Sequence, residues 1–396
     1  MKRIAVIGAG AAGCFCTAEL RRMRPDFRVD VYESGPKALA KVAITGGGRC
    51  NLTNSFAGIR NLAEAYPRGE RLMKRLLKQF SQEDTWRWFE SAGVPLVLQE
   101  DHCVFPQSQD AMDIVRALLR RMDGANLLQR TPVQSVMPDL TGNLLVDGTP
   151  YDAVVITTGG APKGLPMLDS LDLEWVPTVP SLFTFTIHDE GLRSLMGLVV
   201  EASVAIPGTA FKADGPLLIT DWGLSGPAVL KLSSYAARHL HEVGYKAPLS
   251  VNWLARNETE TRDILQETAA GNPSKQVSNT PVARLQGRLW NHLTAKAGLR
   301  PDIRWAELGS KGLNRLVSTL TQDAYTMAGK SKFREEFVTC GGVALGNLDP
   351  ATLESKRHPG LYFAGEVLDI DAITGGFNLQ AAWTTGAVVT RSIGAK

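Results

Sequence analysis

The apolar positions along this chain fall into two regimes. Near the N-terminus, RIAVIG is a continuous β-rich apolar run stopped by a glycine, which predicts a strand buried on both faces. AAGCFCTAELRRM then reads as a helix, and RVDVYES as a second strand ending in an acid. This completes β-α-β within about thirty residues. From Ala63 to Ala92 the pattern is helical and amphipathic, AMDIVRALLRRM predicts another helix, and YDAVVITTGG a strand entering a glycine turn. After about residue 176 the period shortens. SLFTFTIHD, GLVVEASVAI and GPLLIT alternate and are separated by turns, which predicts an antiparallel sheet or barrel. LSGPAVLKLSSYAARHL opens a helix, with Ser225 near the N-cap and Pro227 in the first turn. Residues 253–317 are mostly helical and polar, and the tail returns to a strand, a long glycine-containing loop and a helix.

Charge changes this picture only locally. The chain of 396 residues carries 43 basic and 40 acidic side chains, so its net charge of +3 neither demands nor excludes an acidic partner. Two concentrations stand out. Arg68, Arg71, Lys74, Arg75 and Lys78 recur at spacings of three and four, which predicts one basic helix face. Between Gly271 and Leu320, eight basic residues are opposed by two acids, Asp302 and Glu307, with Trp290, His292 and Trp305 interleaved. Either is read as a solvated helix face or as a track for a phosphate backbone. The tryptophans read as core, and His102 and His188 as structural.

Five scattered cysteines with no C-x-x-C pair predict neither a disulfide framework nor a zinc site, and fit a reducing cytoplasm. No stretch approaches the ~20 apolar residues that span a bilayer, so no membrane partner is expected.

Candidate chemistry sits in the glycine loops. Gly8-Ala9-Gly10-Ala11-Ala12-Gly13 follows a strand and opens a helix. Gly8 permits the tight turn, Gly10 the approach of a pyrophosphate, and Gly13 close helix–strand packing, while the helix N-terminus faces the phosphate. Glu33 ends the second strand, where a carboxylate accepts from a ribose 2′-hydroxyl, favouring FAD or NAD over NADP. Gly46-Gly47-Gly48, Gly159-Gly160 and Gly375-Gly376 are further clusters, a distribution suited to a long cofactor touched by both chain ends. The spacing alone leaves FAD and NAD open.

GAGAAG, GGGRCNLTN, CVFPQS, TTGG, GLSGPAVLKLS, TCGGV and ESKRHPGLYFAGEVLDIDAITGGFNLQAAWTTG together resemble the YhiN/BaiN-type family of bacterial NAD(P)/FAD-dependent oxidoreductases, from residue 8 to residue 386. The resemblance implies an α/β fold: a Rossmann-type FAD-binding domain built from both chain ends, with an inserted β-rich, barrel-like domain and a small helical domain. The expected boundaries are 1–175 with 336–396, 176–252 with 318–335, and 253–317. It further implies that Gly46–Asn54, with Gly47, Gly48, Arg49 and Asn51, is a flavin-contacting loop. Thr158, Gly159 and Gly160 would lie by the ADP half, and Gly365 and Glu366 by the ribityl–pyrophosphate region. Gly375, Gly376, Phe377 and Asn378 would set a helix N-terminus at the flavin's pyrimidine edge, where its dipole stabilises charge on reduced flavin. Asp221 stands where many relatives carry histidine, and Cys340 has no family role.

Cys50 and Arg49 are the expected catalytic pair. A cation beside a thiol lowers its pKa, and Cys50 would protonate the carbon opposite the hydride. The bland alternative is a small cysteine packed beneath the flavin. The expected reaction, from the resemblance, is reduction of an activated C=C bond, with a uridine of 23S ribosomal RNA or a steroid-type enone as substrate. A flavin oxidase of small amines or amino acids, or a non-catalytic flavin-binding RNA-associated module, are alternatives. No second glycine turn with its own strand, helix and acid exists, so NAD(P)H would dock transiently as electron donor, or a separate reductase would supply electrons. No metal is expected.

Overall fold

The computed structural model describes residues 1–139, 142–161, 165–330 and 338–396, and the expected boundary at 335/336 lies outside them. The chain forms two compact units, Met1–Pro180 with Val338–Lys396, and Ser181–Phe337.

The first unit is built on a five-stranded sheet in the order Leu361–Phe363, Ala153–Ile156, Arg3–Ile7, Arg28–Tyr32, Asn126–Leu128. Every pairing is parallel, with Val6 beside both Val155 and Val31. Ile4, Ala5 and Val6 are wholly buried, as the unbroken apolar run requires of a central parallel strand. The first helix, Ala11–Met23, packs against the C-terminal helix, Phe377–Ala395. Small residues make this close: the Thr390 hydroxyl donates to the Cys16 carbonyl at 3.3 Å, and a Cβ on Gly386 would stand 3.2 Å from the Ala12 carbonyl oxygen. No helix among the described residues is long and apolar enough to cross a membrane.

The amphipathic stretch from Ala63 to Ala92 is not one helix. It divides into Leu62–Ala65, Glu70–Leu76 and Gln82–Ser91. Gly69 breaks it at φ 77°, where a Cβ would meet Ile370 at 2.6 Å. Ser81 and Asp84 restart it with a reciprocal capping box. The basic face is correspondingly smaller than expected. Arg71, Lys74, Arg75 and Lys78 are exposed, but Arg68 turns inward and clamps the fully buried Asp371, its Nε donating at 2.6 Å.

The second unit is a closed antiparallel barrel of six strands: Phe185–Ile187, Gly223–Ser225, Lys212–Ile219, Val199–Ala205, Ala247–Asn252 and Asp323–Lys330. The helices Glu258–Gly271, Gly287–Lys296 and Gly309–Thr321 lie between the last two strands in sequence. They share one hydrophobic cluster with the barrel, in which Leu217 and Val251 join Leu265, Trp290 and Leu316. Trp290 and Trp305 are buried and stacked with centroids 6.4 Å apart, so neither presents a ring to solvent. The helix at Pro227 is capped by Gly226 rather than Ser225, which ends a strand; a Cβ on Gly226 would stand 2.7 Å from the Pro216 carbonyl oxygen.

The Arg68–Asp371 pair ties the helix before residue 77 to the loop before the C-terminal helix. Asp371→Asn removes the carboxylate that the mostly buried Arg68 guanidinium grips, so it should lower unfolding free energy by about 3–5 kcal/mol in urea titrations. The double variant Arg68→Met/Asp371→Leu should recover most of that loss. A single-variant loss below about 1 kcal/mol would mean the pair is solvated and unimportant.

Candidate functional site

The first glycine turn is assembled by backbone approach. Gly8 has φ 107°, and a Cβ there would lie 2.4 Å from the Thr157 carbonyl oxygen. A Cβ on Gly13 would fall 1.9 Å from the Gly8 oxygen and 2.6 Å from Thr157 Oγ1. Gly10 differs, because nothing lies within 4 Å of a Cβ built on it. Two of the three glycines therefore serve strand–helix packing, and the third borders open space at a helix N-terminus. Glu33 stands at the same turn, accepting from Ala9 N–H at 3.0 Å and Gly35 N–H at 2.7 Å.

Thr158 follows the strand beside Gly8, and its buried Oγ1 has no hydrogen-bond partner. A Cβ on Gly160 would meet Thr339 Oγ1 at 2.0 Å and Glu366 Oε1 at 2.8 Å. Glu366 accepts from Thr339 N–H at 2.9 Å and pairs with Lys41 at 3.6 Å. Gly365, at φ 79°, abuts Ala12 at the start of the first helix. Gly159, Gly160, Gly365 and Glu366 are thus gathered beside the glycine turn.

The GGGRC segment ends a short helix, Ala40–Gly48, that leaves helical geometry at Thr45. Gly46, Gly47 and Gly48 follow with φ 58°, 68° and 82°, then Cys50 at φ 61°. Three successive left-handed residues require glycine. Arg49 is exposed; it lies over the Phe105 ring at 4.6 Å and donates to the Gly46 carbonyl at 3.3 Å. Cys50 is wholly buried, and burial pushes its thiol up to about 12, with only a Thr45 hydrogen bond opposing. The expected lowering of this pKa by Arg49 is therefore wrong: desolvation outweighs the neighbouring cation.

The C-terminal segment closes over this loop. Asn54 Nδ2 donates to the Gly375 carbonyl at 3.0 Å, and Trp383 Nε1 to the Leu52 carbonyl at 3.0 Å. The buried Thr53 hydroxyl donates to Gln380 Oε1 at 2.6 Å. Gly376, at φ 89°, caps the C-terminal helix; a Cβ there would stand 2.4 Å from the Thr53 carbonyl oxygen and 2.7 Å from Asn51 Oδ1. Phe377 is buried, its ring against those of Phe56 and Tyr66. The Asn378 amide exchanges hydrogen bonds with Ala372, donating at 3.0 Å and accepting at 2.9 Å, and so shapes the preceding loop.

A dinucleotide cofactor fits what remains. Asn51 Oδ1 and Thr158 Oγ1 are buried without partners, one beside Gly376 and the other beside Gly8. Buried polar atoms ordinarily have partners. These two atoms, each beside a glycine-lined segment, and the open space at Gly10 are what an extended polar ligand would meet. Gln380 and the Arg68–Asp371 pair were missed from sequence, and the tethering roles of Thr53 and Asn54, within the expected loop, were not read, since no motif marks a threonine, asparagine or glutamine as a tether. Among the described residues, no group of three acidic, histidine or cysteine side chains could hold a metal. Gly10→Ala, at φ −85°, should fold with near-wild-type stability yet lose the cofactor, whereas Gly13→Ala should lose both. Thermal melts and the flavin absorbance of purified variants check this; a Gly10→Ala protein retaining full flavin would refute the placement.

Comparison with known proteins agrees with this architecture. A family profile described as HI0933-like protein Rossmann domain matches residues 2–392. The chain is 33% identical to the Ribosomal RNA dihydrouridine synthase of Escherichia coli (strain K12), over 96% of this chain and 95% of that protein. It is 28% identical to a 3-dehydro-bile acid delta(4,6)-reductase of Clostridium scindens, over 99% of each. A Ribosomal RNA dihydrouridine synthase of Haemophilus influenzae is 29% identical, over 98% of this chain and 97% of that protein. With a profile match across nearly its whole length, the chain belongs to the HI0933-like Rossmann-domain family, the FAD-dependent oxidoreductases that its YhiN/BaiN-type motifs resemble.

Proposed function

We propose that this enzyme reduces a C=C bond conjugated to a carbonyl, with uridine of ribosomal RNA as its substrate and dihydrouridine as its product. The observation that carries the reading is a chemical agreement between relatives with different substrates. A dihydrouridine synthase and a delta(4,6)-reductase both match this chain end to end. Each name describes saturation of a carbon–carbon double bond activated by a carbonyl. The reaction adds a hydride to the β-carbon and a proton to the α-carbon. The higher identity, at 33%, favours the RNA substrate.

When bound, FAD supplies the hydride, and NADH or NADPH docking transiently replaces it. The chain's residues bind and orient. Gly10 and the first helix N-terminus receive the pyrophosphate, Glu33 the ribose hydroxyls, and Asn51 and Thr158 regain hydrogen-bond partners. The helix N-terminus at Gly376, which has no side-chain cap, would place its positive dipole end where it could stabilise charge gained on reduction. Arg49, exposed at the edge of the left-handed loop, is the cation available to a substrate carbonyl or phosphate. Cys50 we assign to packing. It is wholly buried and too weak an acid, near 12, to be a favourable proton donor at neutral pH.

The test is anaerobic reduction by NADH or NADPH followed by incubation with 23S rRNA fragments, with dihydrouridine read by mass spectrometry. Flavin bleaching, slow reoxidation in air and new dihydrouridine are expected. Indifference to nicotinamides, with rapid reoxidation and peroxide from small amines, would make the protein an oxidase. RNA left unmodified by a nicotinamide-reduced enzyme would refute the uridine reading. Cys50→Ser should keep the rate within about threefold; loss of a proton donor would lower it by about 10²–10⁴.

A further inference from the structure

Charge in the second unit is unevenly placed. Between Gly271 and Leu320 basic residues exceed acidic ones by six, whereas the whole chain's excess is three. The rest of the protein is therefore net acidic. All eight basic residues of this stretch are exposed. Some are committed: Lys296 pairs with the buried Asp323 at 2.6 Å, Arg300 with Glu307 at 3.5 Å, and Arg288 donates to the Ser194 carbonyl at 2.6 Å. Lys275, Arg304, Lys311 and Arg315 join no ion pair among the described residues.

The fold groups these four into two couples. Trp305 N–H donates to the Lys275 carbonyl at 3.1 Å, and Gln276 bridges Arg304, so Lys275 and Arg304 flank one paired segment. The chain then enters the helix Gly309–Thr321, where Lys311 and Arg315 are four residues apart and share a side. Arg315 lies over Gly298, where a Cβ would stand 3.1 Å from Nη1. The other flank of this helix is bounded by Glu258–Gly271, joined to it by Arg262–Asn314 and Gln322–Glu258 hydrogen bonds. That neighbour exposes Glu258, Glu260, Asp263 and Glu267. The basic surface thus has an acidic border.

The surface's chemistry narrows its partner. No exposed large hydrophobic lies between residues 272 and 320, which argues against insertion into a lipid surface. Trp290 and Trp305 are buried, so no aromatic platform stacks unpaired bases. What remains is recognition of regularly spaced phosphates. We propose that Lys275, Arg304, Lys311 and Arg315 form a phosphate-tracking surface with which the second unit grips the backbone of folded RNA. This rests on the reading that the substrate is RNA.

The experiment measures binding of FAD-loaded enzyme to a folded 23S rRNA fragment by fluorescence anisotropy across a salt series. Wild type is compared with Lys275→Glu/Arg304→Glu and with Lys311→Glu/Arg315→Glu. Each double variant should bind at least tenfold more weakly, and its log K against log salt slope should shrink by about 1–2. Flavin content and the rate of reduction by nicotinamide should not change. Variants that match wild type in affinity and slope overturn the surface while leaving the uridine reading intact. Wild type that neither binds nor modifies the RNA overturns both. RNA displaced equally well by poly-glutamate, at matched charge, would overturn it in favour of an acidic protein partner.

Discussion

The first unit depends on backbones meeting without side chains between them. At Gly8 the turn presses on Thr157, at Gly13 the first helix presses on Gly8, and at Gly376 the C-terminal helix begins against Thr53. At Gly386 that same helix touches the carbonyl of Ala12. In three of these places a Cβ would stand under 2.5 Å from backbone oxygen, closer than real side chains come. The contacts bring residues 365–380 against residues 8–13 and 46–54, although more than three hundred positions separate them in sequence. The parallel sheet supplies the platform, but glycine sets the distance.

This explains which parts were legible in the sequence. RIAVIGAGAAG is readable because its constraint is local: strand, turn and helix follow one another, and each glycine has a distinct steric reason. The barrel was readable from alternation, because each strand faces a core on one side. The helical pattern from Ala63 to Ala92 does not show the break between helices, since periodicity continues across Gly69 while Ile370, distant in sequence, enforces it. Arg68 was counted with a surface face for the same reason: its partner, Asp371, is 303 positions away. Phe377 and Asn378, which carry the motif, pack against Phe56 and Tyr66 and hydrogen-bond Ala372, contacts that no local spacing shows. Spacing identifies where a ligand-binding turn lies. It does not separate the residues that touch the ligand from those that hold the turn.

The opposite environments of Arg49 and Cys50 show how little adjacency in sequence decides electrostatics. A left-handed residue at Cys50 reverses the chain, so Arg49 spreads over Phe105 in solvent while the thiol enters the core. Solvent weakens the cation's field at the surface, and burial penalises the thiolate. The pKa rises to about 12. The same logic governs the second unit, where Lys296 is consumed by the buried Asp323 while Lys311 and Arg315 stay available.

Two unsatisfied atoms connect stability with function. A buried polar group without a partner costs about 1–3 kcal/mol. Asn51 Oδ1 and Thr158 Oγ1 therefore carry a penalty that the protein alone does not relieve. Nearby groups show that the fold can satisfy such atoms: Thr157 Oγ1 reaches the Gly8 carbonyl at 2.8 Å, and Thr53 reaches Gln380. The contrast lies between adjacent threonines, 157 turned into the packing and 158 left open. A group bound beside Gly8 or Gly376 that hydrogen-bonds these atoms would relieve that cost and so raise the stability of the loaded protein.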